Sequence, residues 1–363
     1  MMRPTSAYPS MSNRQCFKYL AVVTAAMLIL FAIFTGKGEE GSSSVGSSFL
    51  RSEGTVKLSE LIGVGLGLTE QAAKEIKKVK FAHAEDLKVK GLTKEGVEEP
   101  VTVADTNSNL VFVNGYRNHF SGVHILSEET EPDKADIRVQ NPTLPADFQL
   151  EMDPNLDMKD VLIIIDPLDA TKEFGEDLLN YVTTMVCIVY KGEPIAGIIN
   201  QARRACHVFE DNKPPVVGVI PLKPEGKGLL FNRVKKATEG EAAHKVAISR
   251  SHTGEGGNVV EKYLEGHSPL LAGGAGYKAL LVVDGETEGY VHVTAIKSWD
   301  VCAAEAVMKA SGGDFTDIEG HALEYPMEYD SDHSQALFKN GIVATQTQEQ
   351  HKYFVSKLGG HLA

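Results

Sequence analysis

Apolar residues recur at helical spacing from Leu58 to Phe81 (Leu61, Leu68, Ala72, Ile76, Val79), with lysines on the other face. This pattern predicts an amphipathic helix, weakened in its first half by glycines. A second helix is expected from Asn107 to Phe120. Val123 to Leu126 reads as a short strand ending in Ser127-Glu128-Glu129, and the polar, Pro-bearing stretch from Pro132 to Lys159 as an irregular insertion. Val161 to Ile165 is wholly apolar and rich in β-branched residues, the signature of a buried central strand. Strands follow at Val182–Tyr190, Pro194–Asn200 and Ala205–Glu210, with Lys191-Gly192-Glu193 as a hairpin turn. The stretch from Asp211 to His244, rich in Pro, Gly and Lys, carries little signal. Val246–Ile248 and Tyr290–Thr294 read as strands, Gly276–Asp284 as a helix, and Asp300–Lys309 as a helix ended by Gly312-Gly313. Interleaved strands and helices predict a layered α/β or α+β class, and no internal repeat is visible.

The N-terminus breaks this pattern. Tyr19 to Gly36 carries no charge, and eighteen residues at helical rise span roughly 27 Å, enough for a thin hydrocarbon core. Arg3, Arg14 and Lys18 precede it, whereas Glu39 and Glu40 follow. The positive-inside rule then places residues 1–18 in the cytosol, 19–36 across the membrane as a signal-anchor and the rest in a lumen. A cleaved signal peptide fits less well, because the apolar core is long and no clear A-x-A site follows. The Gly/Ser-rich segment after it reads as a flexible stem over 37–57, leaving 58–363 as the lumenal domain.

Composition narrows the function. The 363 residues carry 36 basic and 49 acidic side chains, a formal net charge of −13. That balance argues against nucleic acid as a partner. Without the three basic residues before the apolar run, 33 bases face 49 acids, so a polyanionic ligand would need locally supplied positive charge. Four cysteines do not make a disulfide framework; Cys187 and Cys302 fall in apolar elements and read as buried thiols, with Cys206 left over.

The acids at element ends carry the candidate chemistry. Asp166-Pro167-Leu168-Asp169-Ala170-Thr171 directly follows the buried strand. Two carboxylates, with a rigid Pro turn able to aim the Leu168 carbonyl, form the oxygen set that hard cations take. Taken alone, the hexapeptide is also an ordinary strand-ending turn. Glu128 and Glu129 close another strand, Asp105 ends the strand-like run Val101–Asp105, and Asp300 starts a helix after Trp299, the only tryptophan. Each has a bland reading as a cap or turn. Together they point to one metal pocket.

Asp105, Ser127-Glu128-Glu129, Asp166–Thr171 and Trp299-Asp300 resemble, in order and spacing, the inositol monophosphatase-like superfamily of lithium-sensitive, Mg²⁺-dependent phosphomonoesterases. Ala170 stands where the usual motif has Gly. Tyr181–Cys187, Ser249-Arg250-Ser251-His252 and Gly273–Lys278 are similar to the Golgi-lumenal, type II membrane branch that acts on 3′-phosphoadenosine 5′-phosphate. The resemblance implies an αβαβα sandwich of the inositol monophosphatase and fructose-1,6-bisphosphatase type. It implies two or three Mg²⁺ held by Glu128, Asp166, the Leu168 carbonyl, Asp169 and Asp300. Thr171 would orient the attacking water and Asp105 take its proton; Ser249, His252, Gly274 and Lys278 would bind the nucleotide. Glycines in Gly273–Lys278 would also leave backbone N–H groups for phosphate. The reaction implied is adenosine 3′,5′-bisphosphate to AMP and phosphate, clearing a sulfotransferase by-product in the Golgi lumen. An inositol phosphate phosphatase and a catalytically idle scaffold are the competing readings, and a homodimer is left open.

Overall fold

The computed structural model describes residues 54–82, 86–92, 98–201, 215–222, 228–232, 244–250, 259–329 and 334–362. Tyr19–Gly36, Cys206, the strand expected at Ala205–Glu210 and His252 lie outside the described residues. Among the described residues, no helix is long and apolar enough to cross a membrane.

The first periodic segment folds as read. Strand β1 (Thr55–Lys57) leads into helix α1 (Leu58–Phe81), which buries Leu61, Ile62, Leu68, Ala72 and Ile76. A two-stranded ribbon follows, β2 (Lys88–Leu92) with β3 (Glu98–Val101), then helix α2 (Val103–His119). Helix α2 starts four residues earlier than its apolar pattern suggests. Thr102 caps it, with Asp105 closing a capping box. Asp105 therefore sits in the first turn of a helix rather than at the end of a strand. Strand β4 (His124–Ser127) and the short β5 (Asn155–Asp157) flank the irregular insertion.

Strand β6 (Val161–Asp169) is buried along its whole length, as its apolar run requires. It is followed by helix α3 (Thr171–Gly175), β7 (Thr183–Tyr190), β8 (Glu193–Gln201), β9 (Val216–Val219) and β10 (Leu229–Phe231). These form a six-stranded sheet of order β10-β9-β8-β7-β6-β4, antiparallel except for β4 beside β6.

The C-terminal half supplies β11 (Lys245–Ser249), β12 (Ser268–Ala272), α4 (Ala275–Val283), β13 (Gly289–His292), β14 (Ile296–Lys297) and α5 (Ser298–Ala310). It ends with β15 (Asp314–Thr316), β16 (Leu337–Phe338), β17 (Ile342–Thr345) and α6 (Gln348–Leu362). The second sheet runs β12-β11-β13-β17-β15, with β12, β11 and β13 mutually parallel.

Alternation along β6 sets the layering. Val161, Ile163 and Ile165 pack with α1 and α2, whereas Leu162 and Ile164 face the other way, toward α4 and α5. The second sheet contributes Tyr290 and Ala344 to that middle layer, and its far face packs Ile248, Val291 and Val343 on Phe354 and Leu358 of α6. The order is helix, sheet, helix, sheet, helix, as expected. Helix α5 lies so close on β8 that a Cβ at Gly197 would collide with the Ala303 carbonyl.

One expectation is corrected. Cys187 and Cys302 are not thiols: they form a disulfide between β7 and α5, bridging 115 positions of sequence. Both sit in apolar elements, which made them look inert singly; only the tertiary packing of α5 on the sheet brings them together.

Candidate active site

The site lies where β6 stops pairing. Pro167 has no N–H, and the β6–β7 ladder breaks register between Asp166 and Asp169. The bulge leaves the Leu168 carbonyl outside the ladder, 3.2 Å from the Thr171 oxygen. Ala170 adopts φ +71°, the left-handed region, to turn the chain into α3. A Gly there costs no strain, which explains the usual motif.

Around this turn the expected acids converge. Asp166 Oδ1 accepts the Leu168 N–H at 3.1 Å, while its Oδ2 is buried with no hydrogen-bond partner. Burial first, then the Glu128, Asp169 and Asp300 carboxylates, hold the Asp166 carboxyl well above its usual range. Asp300 caps α5 by accepting the Lys297 N–H at 3.1 Å. Withdrawal from water, reinforced by Glu128 and Asp169, pushes it up to about 8. Burial raises Asp169 as well, and Lys278 with the Gly276 and Ala275 N–H groups restrains that rise.

Like charges crowd here, since the Glu128 and Asp169 carboxylates act on both Asp166 and Asp300, and such a cluster calls for a cation. The donor set is all oxygen and includes an orphaned buried oxygen at Asp166. Such a set fits a hard divalent ion such as Mg²⁺. Glu128, Asp166, Asp169, Asp300 and the Leu168 carbonyl are the groups that would hold it.

Beside the acids stands the Thr171–Asp105 pair. The Thr171 hydroxyl donates to Asp105 Oδ1 at 2.9 Å. The other oxygen, Oδ2, accepts from the Thr102 hydroxyl at 2.5 Å and its N–H at 2.8 Å. Burial pushes the Asp105 carboxyl up to about 7 against the pull of the Thr102 hydrogen bond. A base of that strength can take a proton near neutral pH.

Nothing in the sequence singles out Lys90. It reaches from the β2–β3 ribbon to Glu128 at 2.7 Å and Glu129 at 2.5 Å. Burial would lower its ammonium, but Glu128 and Glu129 outweigh that and hold it well above the usual lysine value. No local pattern marks one lysine of a Lys-rich ribbon; the contact exists only in three dimensions.

The expected nucleotide-binding residues divide. Ser249 ends β11 on the same side as the Gly273-Gly274 turn that follows β12, since the two strands run parallel in register. Gly274 has φ +69°, and a Cβ there would press on the Tyr181 carbonyl and Asp169 Oδ2. The backbone of this turn serves the acid cluster: the Gly276 N–H donates to Asp169 Oδ2 at 2.8 Å. That N–H group is therefore engaged, contrary to the expectation that this segment leaves its N–H groups for phosphate. Lys278 is buried in α4, donating to the Gly274 carbonyl at 2.6 Å with its ammonium over the Tyr290 ring. Burial lowers its pKa, opposed by Asp169, Glu173 and Asp300. Arg250 binds Glu173 at 3.1 Å and Glu176 at 2.6 Å, tying the Ser249 loop to the region of α3.

A layered α/β fold with an all-oxygen cation pocket at a strand bulge defines a class of metal-dependent phosphatases. Residues 57–362 match the inositol monophosphatase family. The chain belongs to that family, whose members generally depend on Mg²⁺. It is 33% identical over 287 residues to inositol monophosphatase 3 of Danio rerio, covering 77% of this chain and 80% of that protein. It is 32% identical over 306 residues to the Golgi-resident adenosine 3′,5′-bisphosphate 3′-phosphatase of Homo sapiens, covering 81% of each. The solved structure of an IMPase from Thermotoga maritima superposes with a TM-score of 0.57 at 18% identity, covering 84% of this chain and all of that one.

Proposed function

We propose that this phosphatase hydrolyses the 3′-phosphate of adenosine 3′,5′-bisphosphate to give AMP and phosphate, in a Mg²⁺-dependent reaction. The observation that carries the chemistry is the Thr171–Asp105 hydrogen bond beside the four-carboxyl cluster. Mg²⁺ supplies charge neutralisation of the phosphate ester and acidification of water. The chain's own residues orient the reactants and move the proton. Thr171 donates its hydroxyl proton to Asp105, so its lone pairs are free to accept from the attacking water. As that water attacks phosphorus, its proton passes to Thr171 Oγ1 and the Thr171 proton to Asp105 Oδ1, while the bond from phosphorus to the ribose 3′-oxygen breaks and the departing oxygen takes a proton from solvent to become the 3′-hydroxyl of AMP. Thr102 holds the other Asp105 oxygen, fixing the carboxyl plane.

The nucleotide reading is supported by the name of the human relative and by the Ser249–His252 and Gly273–Lys278 segments. Ser249, His252 and Gly274 are assigned to the nucleotide. Lys278 contributes its charge from beneath the Gly274 turn. Inositol monophosphate hydrolysis is the second reading, favoured by the name of the fish relative.

The proposed setting is the Golgi lumen, with residues 1–18 cytosolic, 19–36 as the anchor and 37–57 as the stem. The uncharged Tyr19–Gly36 run supports this, as does the Cys187–Cys302 disulfide, a bond typical of oxidising compartments. Measuring phosphate release from adenosine 3′,5′-bisphosphate and from inositol 1-phosphate in Mg²⁺ tests the reading. The nucleotide should have the higher kcat/KM; faster release from inositol 1-phosphate would select the second reading instead.

A further inference from the structure

The parallel strands of the second sheet have two ends. Ser249 and Gly273 stand at the C-terminal end, toward the acid cluster. At the opposite end, the residues immediately before β11, β12 and β13 are His244, His267 and Glu288. Register places them side by side: Lys245 pairs with Ser268, and Val246 with Gly289. The five-residue strands separate the two ends by about 16 Å.

The donor atoms of these three side chains lie within 4.8 Å of one another. His267 Nε2 is 3.0 Å from Glu288 Oε2, and His244 Nδ1 is 3.8 Å from Glu288 Oε1. Tetrahedral ligands about 2.0–2.1 Å from Zn²⁺ stand about 3.3–3.4 Å apart, so small side-chain rotations close this set on an ion.

The hydrogen bonds around the cluster favour a cation. His267 Nδ1 lies 3.2 Å from the Glu265 carbonyl, which can only accept, so Nδ1 carries a hydrogen. Nε2 then faces a carboxylate. With the hydrogen on Nδ1, the Nε2 lone pair and the carboxylate can share a metal ion. A ligating histidine that donates its other N–H to a carbonyl is the common outer arrangement of metal sites. The backbone steadies the carboxylate: the His244 N–H donates to Glu288 Oε1 at 3.1 Å, and the Glu288 N–H donates to the Lys245 carbonyl at 2.9 Å. Phe354 meets the His267 ring edge to face. The His267 side chain is 8% exposed and that of His244 65%, so the cluster is built from one side and open on the other.

We propose that His244, His267 and Glu288 form a second cation site, for a borderline transition-metal ion of the Zn²⁺ class with a water in its open position. Two imidazoles and one carboxylate suit that class, whereas the all-oxygen active site suits Mg²⁺. The ion would fasten the starts of three adjacent strands, a structural role independent of the phosphatase reaction.

The test uses the full chain in excess Mg²⁺, which occupies the hard site, with Zn²⁺ added. Equilibrium dialysis should show one tightly held Zn²⁺, and X-ray absorption should show two imidazoles among its ligands. His244→Ala, at an exposed side chain, and Glu288→Gln, which keeps the shape, should each weaken binding at least tenfold and abolish the Zn²⁺-induced rise in Tm. Asp169→Asn, in the other site, should leave this binding unchanged. Absence of bound Zn²⁺, an oxygen-only ligand shell, or affinity unchanged by His244→Ala would overturn the site and leave a His267–Glu288 hydrogen bond.

Discussion

The Thr171 hydroxyl lies 2.9 Å from Asp105 Oδ1, across 66 positions of sequence, while Thr102 occupies the other oxygen of the same carboxyl. One helix cap and one proposed catalytic pair thus share a single carboxylate. Thr171→Val and Asp105→Asn should each lower kcat by about 10²–10⁴, more than they change KM. Because the two act as one proton relay, the double variant should be little worse than the poorer single. Steady-state kinetics of the set checks this, and full additivity would separate the two residues. Thr102→Val should cost about 1 kcal/mol in stability through the lost cap.

The Cys187–Cys302 bond joins α5, two residues beyond Asp300, to β7, where Cys187 pairs with Ile164 of β6. Asp166 stands two residues further along that strand. The crosslink therefore holds two walls of the acid pocket together. Closing a loop this long restricts the unfolded chain, so replacing both cysteines with Ala should cost about 3–5 kcal/mol. Denaturant midpoints of the variant and the oxidised chain measure it. An unchanged midpoint would show that the bond contributes nothing to folding.

Much of this was legible in the sequence, because the strongest signals were physical. A wholly apolar run such as Val161–Ile165 can only be buried, and acids placed after it must be solvated, capped or metal-bound. The second sheet is less legible. β12 (SPLLA) and β17 (IVAT) are short, and α6 (QEQHKYFVSKLGGHL) carries a weak apolar face interrupted by two glycines. Lys90, the disulfide and the His244–His267–Glu288 cluster depend on residues distant in sequence, so no local pattern announces them. The Asp105 carboxylate is legible, but the start of its helix is not. Val103 and Ala104 continue a β-like pattern, and only Thr102 with Asp105 three positions on marks the cap.

Ala170 holds a left-handed conformation at φ +71°. That costs an L-residue about 1–2 kcal/mol, and Gly returns about 0.5–1 kcal/mol of this as unfolded-chain entropy. Ala170→Gly should therefore stabilise the protein by about 0.5–1 kcal/mol, read as a rise in Tm. A lower Tm would mean that the methyl group packs more favourably than the strain costs.

Lys90 bonds Glu128 and Glu129 at the rim of the acid cluster, where it competes with any cation that Glu128 would hold. Lys90→Met removes that competitor and keeps the aliphatic stem. Mg²⁺ should then bind several-fold more tightly by calorimetry. Weaker binding would assign Lys90 to the support of the cation site instead.

The buried acids give the cation-free chain an inverted pH dependence. Asp105 is pushed up to about 7 and Asp300 to about 8, with Asp166 and Asp169 raised as well. Unfolded, each titrates near 4. Between pH 4 and 8 the folded chain therefore holds more protons than the unfolded chain. The slope of unfolding free energy against pH is proportional to protons bound unfolded minus folded, so it is negative across this window. In EDTA, Tm should fall as pH rises from about 5 to 8. Saturating Mg²⁺ should displace the protons, recover the lost stability at pH 8 and release acid that a pH-stat can count. A Tm that rises with pH in EDTA would show that the carboxylates are ionised without a cation and that the cluster is solvated rather than buried.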